Sequence, residues 1–383
     1  MKKKIAIFGS TGSIGKSLLN IIDKDEKNFK IIFLSAKKNY KELLNQAKRF
    51  GVKNIVITDI ESYEIAKKKA EKRIKIFNNF KCLSKIFKTK IDYTMNSIVG
   101  IDGLKPTLDM IKFTKKIVIA NKESIVCGWS LIEKKLIRYK TKFVPVDSEH
   151  FSIWFALKNE DINNIEKIYL TASGGPFLNT SQSKLKKIKI SEALNHPNWN
   201  MGKKISIDSA TMMNKVFEII EAKNIFKLDY KKLSILTHPK SYLHAIIKFK
   251  NGLVKTILHD TTMTIPIQNT LYEKNNKSFN SKNLDLETLN NLDLKEVNAK
   301  RFPVIKILKN LPMKNSLYET VLVATNDKLV EFYLEGRIEY NQIYPKLWRF
   351  INDKKFKKYK RIRPKNLENI LNLNEYVRLK IKV

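Results

Sequence analysis

Short apolar runs alternate with amphipathic helical patterns through the first part of the chain. Each run has the length and the β-branched content of a buried strand, and the segment behind it repeats its apolar residues at helical spacing. The strand patterns are KIAIFG, FKIIFLSA, VKNIVITD, KIDYTMN, KKIVIA and TKFVPV. Strands that alternate with helices form a parallel, doubly wound sheet, so a ligand is expected at the carboxyl ends of the strands.

The pattern changes beyond residue 150, and we predict four consecutive parts. Residues 1–150 form a Rossmann-type domain with a parallel sheet, and residues 151–275 form a central α+β domain that carries most of the candidate site. Residues 276–300 are polar and rich in Asn, which predicts a connecting segment with little core. Helical periodicity over residues 301–383 predicts a small helical bundle. The expected fold class is therefore α/β.

The net charge of the 383-residue chain is +37, because 74 Lys and Arg face 37 Asp and Glu. So basic a chain can indicate binding to nucleic acid or to an acidic membrane surface. Here the lysines are spread over the whole sequence, which is typical of a compositional bias with solvated basic faces. We predict no specific nucleic-acid binding, and a basic nucleic-acid-binding protein stays as the non-enzyme alternative.

Targeting signals and cysteines point to the cytoplasm. No apolar stretch is long enough to span a bilayer, which predicts no membrane association. The basic start MKKK is followed by a very short apolar run that leads straight into a glycine loop, so it predicts a first strand and no signal peptide. Cys82 and Cys127 are far apart and fit neither a disulfide framework nor a zinc pattern. A reducing cytoplasm is the expected location.

A glycine-rich loop follows the first strand pattern and precedes the first helix pattern. Its residues Gly9, Gly12 and Gly15 have the spacing G-x-x-G-x-x-G, which is looser than the G-x-G-x-x-G of many dinucleotide sites. Glycines permit a tight turn and a close approach of the backbone, and the helix start offers N–H groups to a pyrophosphate. We predict dinucleotide binding, with a plain tight turn as the alternative.

The end of the second strand selects the cofactor. NAD-binding domains usually place Asp or Glu there for the ribose 2′-hydroxyl. This chain has Ser35-Ala36-Lys37-Lys38-Asn39 instead. Ammonium groups suit a 2′-phosphate, so the sequence favours NADPH over NADH, although in so lysine-rich a chain one of them could be incidental.

Acidic residues form a candidate metal site in two segments. Asp147 and Glu149, in VPVDSEH, stand two apart at a strand end, where extended backbone points both to one side. Two such carboxylates suit a hard divalent cation, and a solvated acidic loop is the alternative. The segment SIDSATMMNKVFEIIEAKNIF predicts one helix beginning near Asp208 or Ser209, with an anion site at its N-terminus formed by Ser209 and Thr211.

That helix adds a third carboxylate. Asn214 and Glu218 are four residues apart and share a face, with Glu221 one turn further. The helix otherwise looks buried, and buried charges need partners or a metal. The alternative is an intrahelical pair between Lys215 and Glu218.

Two loops supply further polar groups. LTASGGPF contains Ser173, and NHPNWNMGKK combines His196, Trp199 and Met201 in a segment broken by proline. A Trp and a Met in a polar loop indicate a flap that closes over a ligand, while a Trp docked in the core is a nearly equal alternative. His238 lies in a His-Pro turn that could reach such a site.

Six motifs now stand in order along the chain. They are GSTGSIG, ANKES, PVDSEH, ASGGPF, HPNWNMGKKISIDSATMMNK and THPKS. Together they resemble the 1-deoxy-D-xylulose 5-phosphate reductoisomerase family, and the fifth motif is highly specific. The resemblance covers residues 9 to about 245, and the C-terminal third is similar in length and helical character more than in motifs.

The resemblance implies an NADP-dependent oxidoreductase. Its implied reaction is the NADPH- and divalent-metal-dependent isomerisation and reduction of 1-deoxy-D-xylulose 5-phosphate to 2-C-methyl-D-erythritol 4-phosphate, the first committed step of non-mevalonate isoprenoid biosynthesis. Mg²⁺ or Mn²⁺, a sugar-phosphate substrate and a homodimer are implied as well. A retro-aldol/aldol route and a direct 1,2-shift need the same groups, so the residues leave both open.

The family's functional residues carry over to matching positions of this sequence. The implied cofactor-binding residues are Thr11, Gly12, Ser13, Ile14, Lys38, Asn39, Asn121, Glu123 and Gly202. The implied metal ligands are Asp147, Glu149 and Glu218. The implied substrate-binding residues are Lys122, Ser148, Glu149, Ser173, His196, Ser209, Asn214, Lys215 and Glu218, of which Lys122, Glu149 and His196 are the implied catalytic residues.

The chain also departs from the family pattern. Lys37 stands where Gly is usual, Lys240 where Gln is usual, and LVATNDKLV differs from the usual Leu-Asn-Ala-Ala-Asn-Glu segment. An aspartate-semialdehyde-type dehydrogenase is a second enzyme class with a similar glycine loop. That class needs a nucleophilic cysteine, for which Cys127 is the nearby candidate.

Overall fold

The computed structural model describes residues 1–181, 183–272 and 283–382. These residues form two compact units. The first unit contains residues 1–125, 131–147 and 263–272, and the second contains residues 126–130, 148–262 and the described residues from 283 onward. Residues 276–282 of the predicted connecting segment lie outside the described residues, and the predicted division into four parts stays a prediction.

Seven strands form the sheet of the first unit. They are β1 (Lys3–Phe8), β2 (Phe29–Ala36), β3 (Asn54–Ile57), β4 (Lys75–Phe77), β5 (Tyr93–Asn96), β6 (Lys116–Ile119) and β7 (Lys142–Pro145). Their order is β4-β3-β2-β1-β5-β6-β7, and every neighbouring pair is parallel. β1 is central and its residues Ile5 to Phe8 are buried, which is why it is a continuous apolar run.

Helices connect these strands, as the alternating pattern predicted. They are α1 (Ser13–Asp23), α2 (Tyr40–Arg49), α3 (Ile60–Lys69), α4 (Leu83–Ile86), α5 (Leu104–Met110) and α6 (Lys122–Tyr139), joined by α11 (Thr264–Leu271) from later in the chain. The strand order reverses between β1 and β5, and crevices at such switch points bind ligands in open α/β sheets. The glycine loop follows β1 and therefore lies at this point.

A second, mixed sheet lies in the second unit. Its strands are β8 (Ile165–Ala172), β9 (Leu233–Thr237), β10 (Leu243–Phe249), β11 (Val254–Leu258) and β12 (Lys295–Glu296), in the order β11-β10-β8-β9-β12. The pair β8–β9 is parallel, and the other neighbours are antiparallel. One apolar core packs this sheet against two helices, with Ile153, Ile168, Ile219 and Ile247 among its buried members.

The helices of the second unit hold most of the candidate site. They are α7 (Ser148–Ala156), α8 (Ile190–Leu194), α9 (Lys203–Thr211), α10 (Met213–Phe226), α12 (Leu286–Asn290), α13 (Tyr318–Leu334), α14 (Ile343–Asn352), α15 (Lys354–Lys357) and α16 (Leu367–Lys380). Of these, α14, α15 and α16 pack around α13 as the predicted bundle. In the described parts of the chain, we find no helix that combines the length and the apolar character needed to cross a membrane.

Two local predictions are wrong. The single helix expected from Asp208 or Ser209 is two helices, α9 and α10, separated at Met212, whose backbone is left-handed at φ 68°. Ser209 therefore lies in the last turn of α9, and it does not begin a helix. Likewise, Glu149 lies in the first turn of α7, so extended backbone does not place it beside Asp147. No Gly or Pro marks the break at Met212, and Pro145 in VPVDSEH ends the strand β7 without showing that a helix begins at Ser148.

A buried carboxyl lies in the first turn of α13. The backbone N–H and the hydroxyl of Ser316 donate to Oε2 of Glu319 at 3.2 and 2.6 Å. Burial raises the pKa of Glu319 to about 7, against the lowering effect of the Ser316 bonds and of Lys223. The folded protein therefore retains this proton over a range in which an ordinary Glu has lost it.

We predict that Glu319→Gln stabilises the protein at alkaline pH. The unfolded carboxyl has an ordinary pKa of 4.5, so the stability that the protonated group contributes is lost as the pH rises through about 7. Gln keeps the neutral form, and the variant should unfold about 2 to 5 °C above the wild type near pH 8.5. This difference should shrink toward pH 5, as followed by calorimetry.

Glu331 on the same helix is the matched control. Its carboxylate pairs with Lys328 at 2.6 Å and with Arg378, and these partners outweigh burial and lower its pKa. Glu331→Gln should therefore give no gain at high pH. A Glu319→Gln variant that is less stable than the wild type at both pH values would show that the Ser316 donors and Lys223 stabilise the charged carboxylate in the fold.

Candidate active site

Three carboxylates meet where α7 and α10 begin. Asp147, Glu149 and Glu218 each offer an oxygen atom, and these atoms lie within 4.8 Å of one another. Asp147 is joined directly to Ser148, the first residue of α7, so the chain itself keeps it near Glu149. Glu218 comes from the second turn of α10 and is buried. The structure thus brings together the three residues that the sequence marked as metal ligands.

Two lysines lie against this cluster. The ammonium of Lys122 contacts a carboxylate oxygen of Asp147. Lys215 lies 2.9 Å from Glu149 and 2.5 Å from Glu218, so the intrahelical pair considered as an alternative exists within the cluster. Burial would lower the pKa of Lys215, but the attraction of both carboxylates raises it to about 12. The cluster therefore carries permanent positive charge beside its acidic groups.

The donor set fits a hard divalent cation. Mg²⁺ and Mn²⁺ prefer oxygen ligands, and three converging carboxylates supply them. Asn214 offers a further oxygen atom beside the cluster. Its Oδ1 is buried and has no hydrogen-bond partner among the described residues. Its amide nitrogen donates to Oε1 of Glu218 at 2.5 Å and orients that carboxylate.

His150 supports the cluster from behind, and the sequence reasoning did not assign it a role. Its Nε2 donates to the backbone carbonyl of Glu218 at 2.9 Å, which ties α7 to α10 at the level of the carboxylates. His150 is completely buried and stacks on Phe226. Its place in the motif PVDSEH was visible, but residue type alone could not separate a supporting histidine from a solvated one.

His196 is neutral and organises the loop predicted as a flap. Its Nδ1 accepts the backbone N–H groups of Asn198 and Trp199, both at 3.1 Å. Its Nε2 therefore carries the proton and donates to the hydroxyl of Ser173 at 3.0 Å. Burial lowers the pKa of His196 to about 4.

The same loop is attached to the turn that contains His238. The amide of Asn198 donates to the Pro239 carbonyl at 2.5 Å and to the Ser241 hydroxyl at 2.9 Å. The Trp199 ring lies edge-on to His244 with its centroid 6.2 Å away. His238 is buried and accepts the Tyr242 N–H at Nε2, so it maintains the turn.

The glycines of the loop after β1 permit close backbone packing and leave the start of α1 without a side-chain cap. Gly9 has φ +76°, and a Cβ there would lie 2.9 Å from the Ser97 carbonyl group. A Cβ on Gly15 would lie 2.5 Å from Ser10 Cα, so α1 can pack this closely only with glycine. Gly12 is the N-cap of α1 and has no side chain to occupy the N–H groups of the first turn. Thr11, Ser13 and Ile14 surround this helix start.

The other predicted cofactor residues have local roles as well. Lys37 and Lys38 are exposed and lie 3.3 Å from Asp102 and 3.9 Å from Asp59. Asn39 accepts the Glu42 N–H and caps α2. The remaining three are Asn121, which caps α6 through Ser124 N–H, Glu123, which is buried in the first turn of α6, and Gly202, the exposed N-cap of α9.

Comparisons with known proteins show the family of this chain. The model described as 1-deoxy-D-xylulose 5-phosphate reductoisomerase matches residues 5–128, and two models of C-terminal domains of the same enzyme match residues 143–226 and 258–380. A 1-deoxy-D-xylulose 5-phosphate reductoisomerase from Pelagibacter ubique is 61% identical over 382 residues, which is 99% of this chain and 98% of the relative. The chain belongs to the 1-deoxy-D-xylulose 5-phosphate reductoisomerase family.

Other reductoisomerases support this assignment at greater distance. The one from Wolbachia pipientis wMel is 40% identical over 89% of this chain and 88% of its own length. The solved structure from Zymomonas mobilis in complex with NADPH is 30% identical, with a TM-score of 0.87 over 99% of this chain and 98% of that one. A DOX-P reductoisomerase in complex with NADPH, fosmidomycin and magnesium is also 30% identical, with a TM-score of 0.91 over 98% and 97%.

Family membership confirms the resemblance seen in the motifs and the α/β fold. It also removes the dehydrogenase alternative that needed a nucleophilic cysteine. Cys127 is buried, and its Sγ lies 3.9 Å from the backbone oxygen of Glu319.

We predict that the His196 ring stays neutral down to about pH 5. Protonation would put a third proton donor against the Asn198 and Trp199 N–H groups, and the lowered pKa reflects the cost of burying the charge. NMR of imidazole-labelled protein should show Nε2–H for this ring and no titration between about pH 5 and pH 8. Because the chain contains five histidines, the His196→Gln variant identifies which imidazole signal belongs to His196.

The corresponding stability effect has a defined sign. Since the folded pKa lies below the ordinary 6.5, the neutral ring contributes stability above pH 6.5 that is lost as the pH falls toward about 4. A His196 signal that titrates with a midpoint near 6.5 would contradict the hydrogen-bond arrangement of the loop.

Proposed function

We propose that this chain converts 1-deoxy-D-xylulose 5-phosphate to 2-C-methyl-D-erythritol 4-phosphate with NADPH and a divalent metal ion. It would thereby catalyse the first committed step of non-mevalonate isoprenoid biosynthesis. The observation that carries the proposal is the convergence of Asp147, Glu149 and Glu218 around one small volume, in a chain of this family. A divalent-metal site of this kind is consistent with the fold of the family and with its NADPH-dependent isomerisation and reduction.

Asp147, Glu149 and Glu218 would hold Mg²⁺ or Mn²⁺. When bound, such an ion polarises a ketone and acidifies a neighbouring hydroxyl, which is what an isomerisation of an α-hydroxyketone requires. Lys122, which contacts Asp147, would act as a proton donor or as an electrostatic stabiliser of a developing alkoxide. The Ser148 hydroxyl donates a hydrogen bond to the Glu149 carboxylate, which fixes that carboxylate in the cluster.

The phosphate group of the substrate has a separate set of contacts. The Ser173 oxygen accepts from His196 and from the Gly175 N–H at 3.0 Å, so its own proton remains to be donated. Asn214 and Lys215 lie in the first turn of α10, where the helix dipole and the ammonium favour an anion. Ser209 adds a half-buried hydroxyl from the end of α9. Binding energy from the phosphate orients the reacting carbons.

NADPH would bind the glycine loop of the first unit. The first turn of α1, with Thr11, Ser13 and Ile14, would receive the pyrophosphate. Lys38 and Asn39 would lie at the adenosine end. The loop with Trp199 would cover the substrate and exclude water during hydride transfer. A homodimer in the cytoplasm without specific nucleic-acid binding completes the proposal.

Glu218→Gln tests the metal site directly. Gln keeps the shape of the side chain but removes the charge, and we expect NADPH oxidation with 1-deoxy-D-xylulose 5-phosphate to fall by more than about 100-fold in kcat/KM. Loss of groups that merely support metal ligands already costs 10 to 100-fold. Mn²⁺ affinity, measured by electron paramagnetic resonance, should fall with it.

Glu221→Gln is the control, because Glu221 is equally buried and lies one turn further on α10. It stands outside the three-carboxylate group, so we expect turnover within about threefold of the wild type. Normal turnover and Mn²⁺ affinity in Glu218→Gln would remove Glu218 from the metal site.

Lys38→Glu tests the cofactor assignment. Reversing the charge should repel the 2′-phosphate, so we expect KM for NADPH to rise about tenfold, while turnover with NADH, which lacks the 2′-phosphate, should change little. Lys37→Glu is a matched control, since Lys37 is equally exposed and pairs with Asp102. Equal effects of the two substitutions would show only a general surface potential.

A further inference from the structure

We propose that Tyr340 and Asn326 are positioning residues for the end of α9, where they hold Ser209 in register for the substrate phosphate. Both residues belong to the C-terminal helical part, in which the segment LVATNDKLV departs from the family pattern. The inference rests on the proposed function, because Ser209 is a proposed phosphate contact. It adds residues that act through the backbone and through Asp208.

Tyr340 caps the C-terminus of α9. The last carbonyl groups of a helix lack partners within the helix and need others. α9 ends at Thr211, and the hydroxyl of Tyr340 donates to the Ala210 carbonyl at 2.6 Å. Burial raises the pKa of Tyr340, so this hydroxyl stays a donor. The residue directly after Ser209 is thereby held by the three-residue turn Tyr340–Gln342.

Asn326 holds the residue directly before Ser209. Its amide donates to Oδ1 of Asp208 at 2.8 Å, and both side chains are buried. Lys204 occupies the other carboxylate oxygen at 2.8 Å and also lies 3.0 Å from Asp327. A buried carboxylate is stable only with such partners. The contacts therefore hold α9 to α13 before Ser209 and to the turn Tyr340–Gln342 after it.

The loop that contains Ser173 packs against the same end of α9. Gly175 has φ +65°, and a Cβ there would lie 2.9 Å from Ala210 Cα. Its N–H donates to the Ser173 hydroxyl. A shift of the α9 end would therefore change the separation of Ser173 and Ser209, and both are proposed contacts of one phosphate group.

The test compares Tyr340→Phe and Asn326→Ala with Ser209→Ala. Loss of one buried hydrogen bond corresponds to roughly a threefold to tenfold change in an equilibrium constant. We expect KM for 1-deoxy-D-xylulose 5-phosphate to rise by this factor in the first two variants, with a smaller change in kcat. KM for NADPH should stay near the wild-type value, since the glycine loop belongs to the other unit and Gly202 lies at the opposite end of α9 from Ser209.

Tyr333→Phe is the matched control for the hydroxyl. Its ring lies edge-on to Tyr340 with the centroids 6.0 Å apart, and its buried hydroxyl has no hydrogen-bond partner in the described part of the chain. This variant should keep the wild-type KM for both substrates. If Asn326→Ala does not fold, Tyr340→Phe alone still carries the comparison.

The possible outcomes distinguish a failure of the positioning inference from a failure of the proposed function. A purely structural role would lower the melting temperature and the active fraction, and hence kcat, but leave KM unchanged, which overturns the inference. Ser209→Ala with a raised KM and Tyr340→Phe with a normal one also overturns it and leaves the proposed function intact. Ser209→Ala with a normal KM would remove Ser209 from the phosphate site and with it this inference.

Discussion

Three carboxylates in one small volume repel each other, and the fold has to supply positive charge before it can bring them together. Lys215 lies between Glu149 and Glu218, and Lys122 lies against Asp147. In a chain with a net charge of +37, these are the two buried lysines among the described residues. The general excess of lysine is a property of the surface, whereas these two have a specific electrostatic partner.

The geometry of the cluster depends on how α7 and α10 are joined. A shared apolar core packs both helices against the second sheet, and the bond from His150 to the Glu218 carbonyl adds a polar connection. Glu149 and Glu218 thus stand on helices, and Asp147 directly precedes α7, so the three carboxylates have little freedom to move apart in response to their repulsion. Pre-organisation of this kind favours a cation that needs a defined set of oxygen ligands.

Neutral and charged groups have separate tasks in the second unit. His196 is kept neutral by two N–H donors and gives its single proton to Ser173. Lys215 is kept charged by its carboxylate neighbours. Hydrogen bonding by a neutral ring and attraction by a fixed ammonium could therefore both serve the proposed phosphate site without competing for the same proton. The cap and the buried Asp208 at the end of α9 then determine where Ser209 can stand.

The local sequence pattern predicted most of the elements of the parallel sheet and the family of the chain. Periodicity placed the strands and helices of the parallel sheet, glycine spacing marked the loop after β1, and motif order identified the family. The break at Met212, the helical start at Ser148 and the bridging position of Lys215 did not follow from it. No Gly or Pro lies at Met212, Pro145 marks the end of a strand but not the start of a helix, and a lysine near two acids has several possible partners. The contacts of Asp208 with Asn326 and of Ala210 with Tyr340 join residues more than a hundred positions apart. The sequence by itself thus determined which chemical groups are present and which elements carry them. Only tertiary packing decided which of those groups meet, because burial makes each charge and each helix end find a partner wherever the fold provides one.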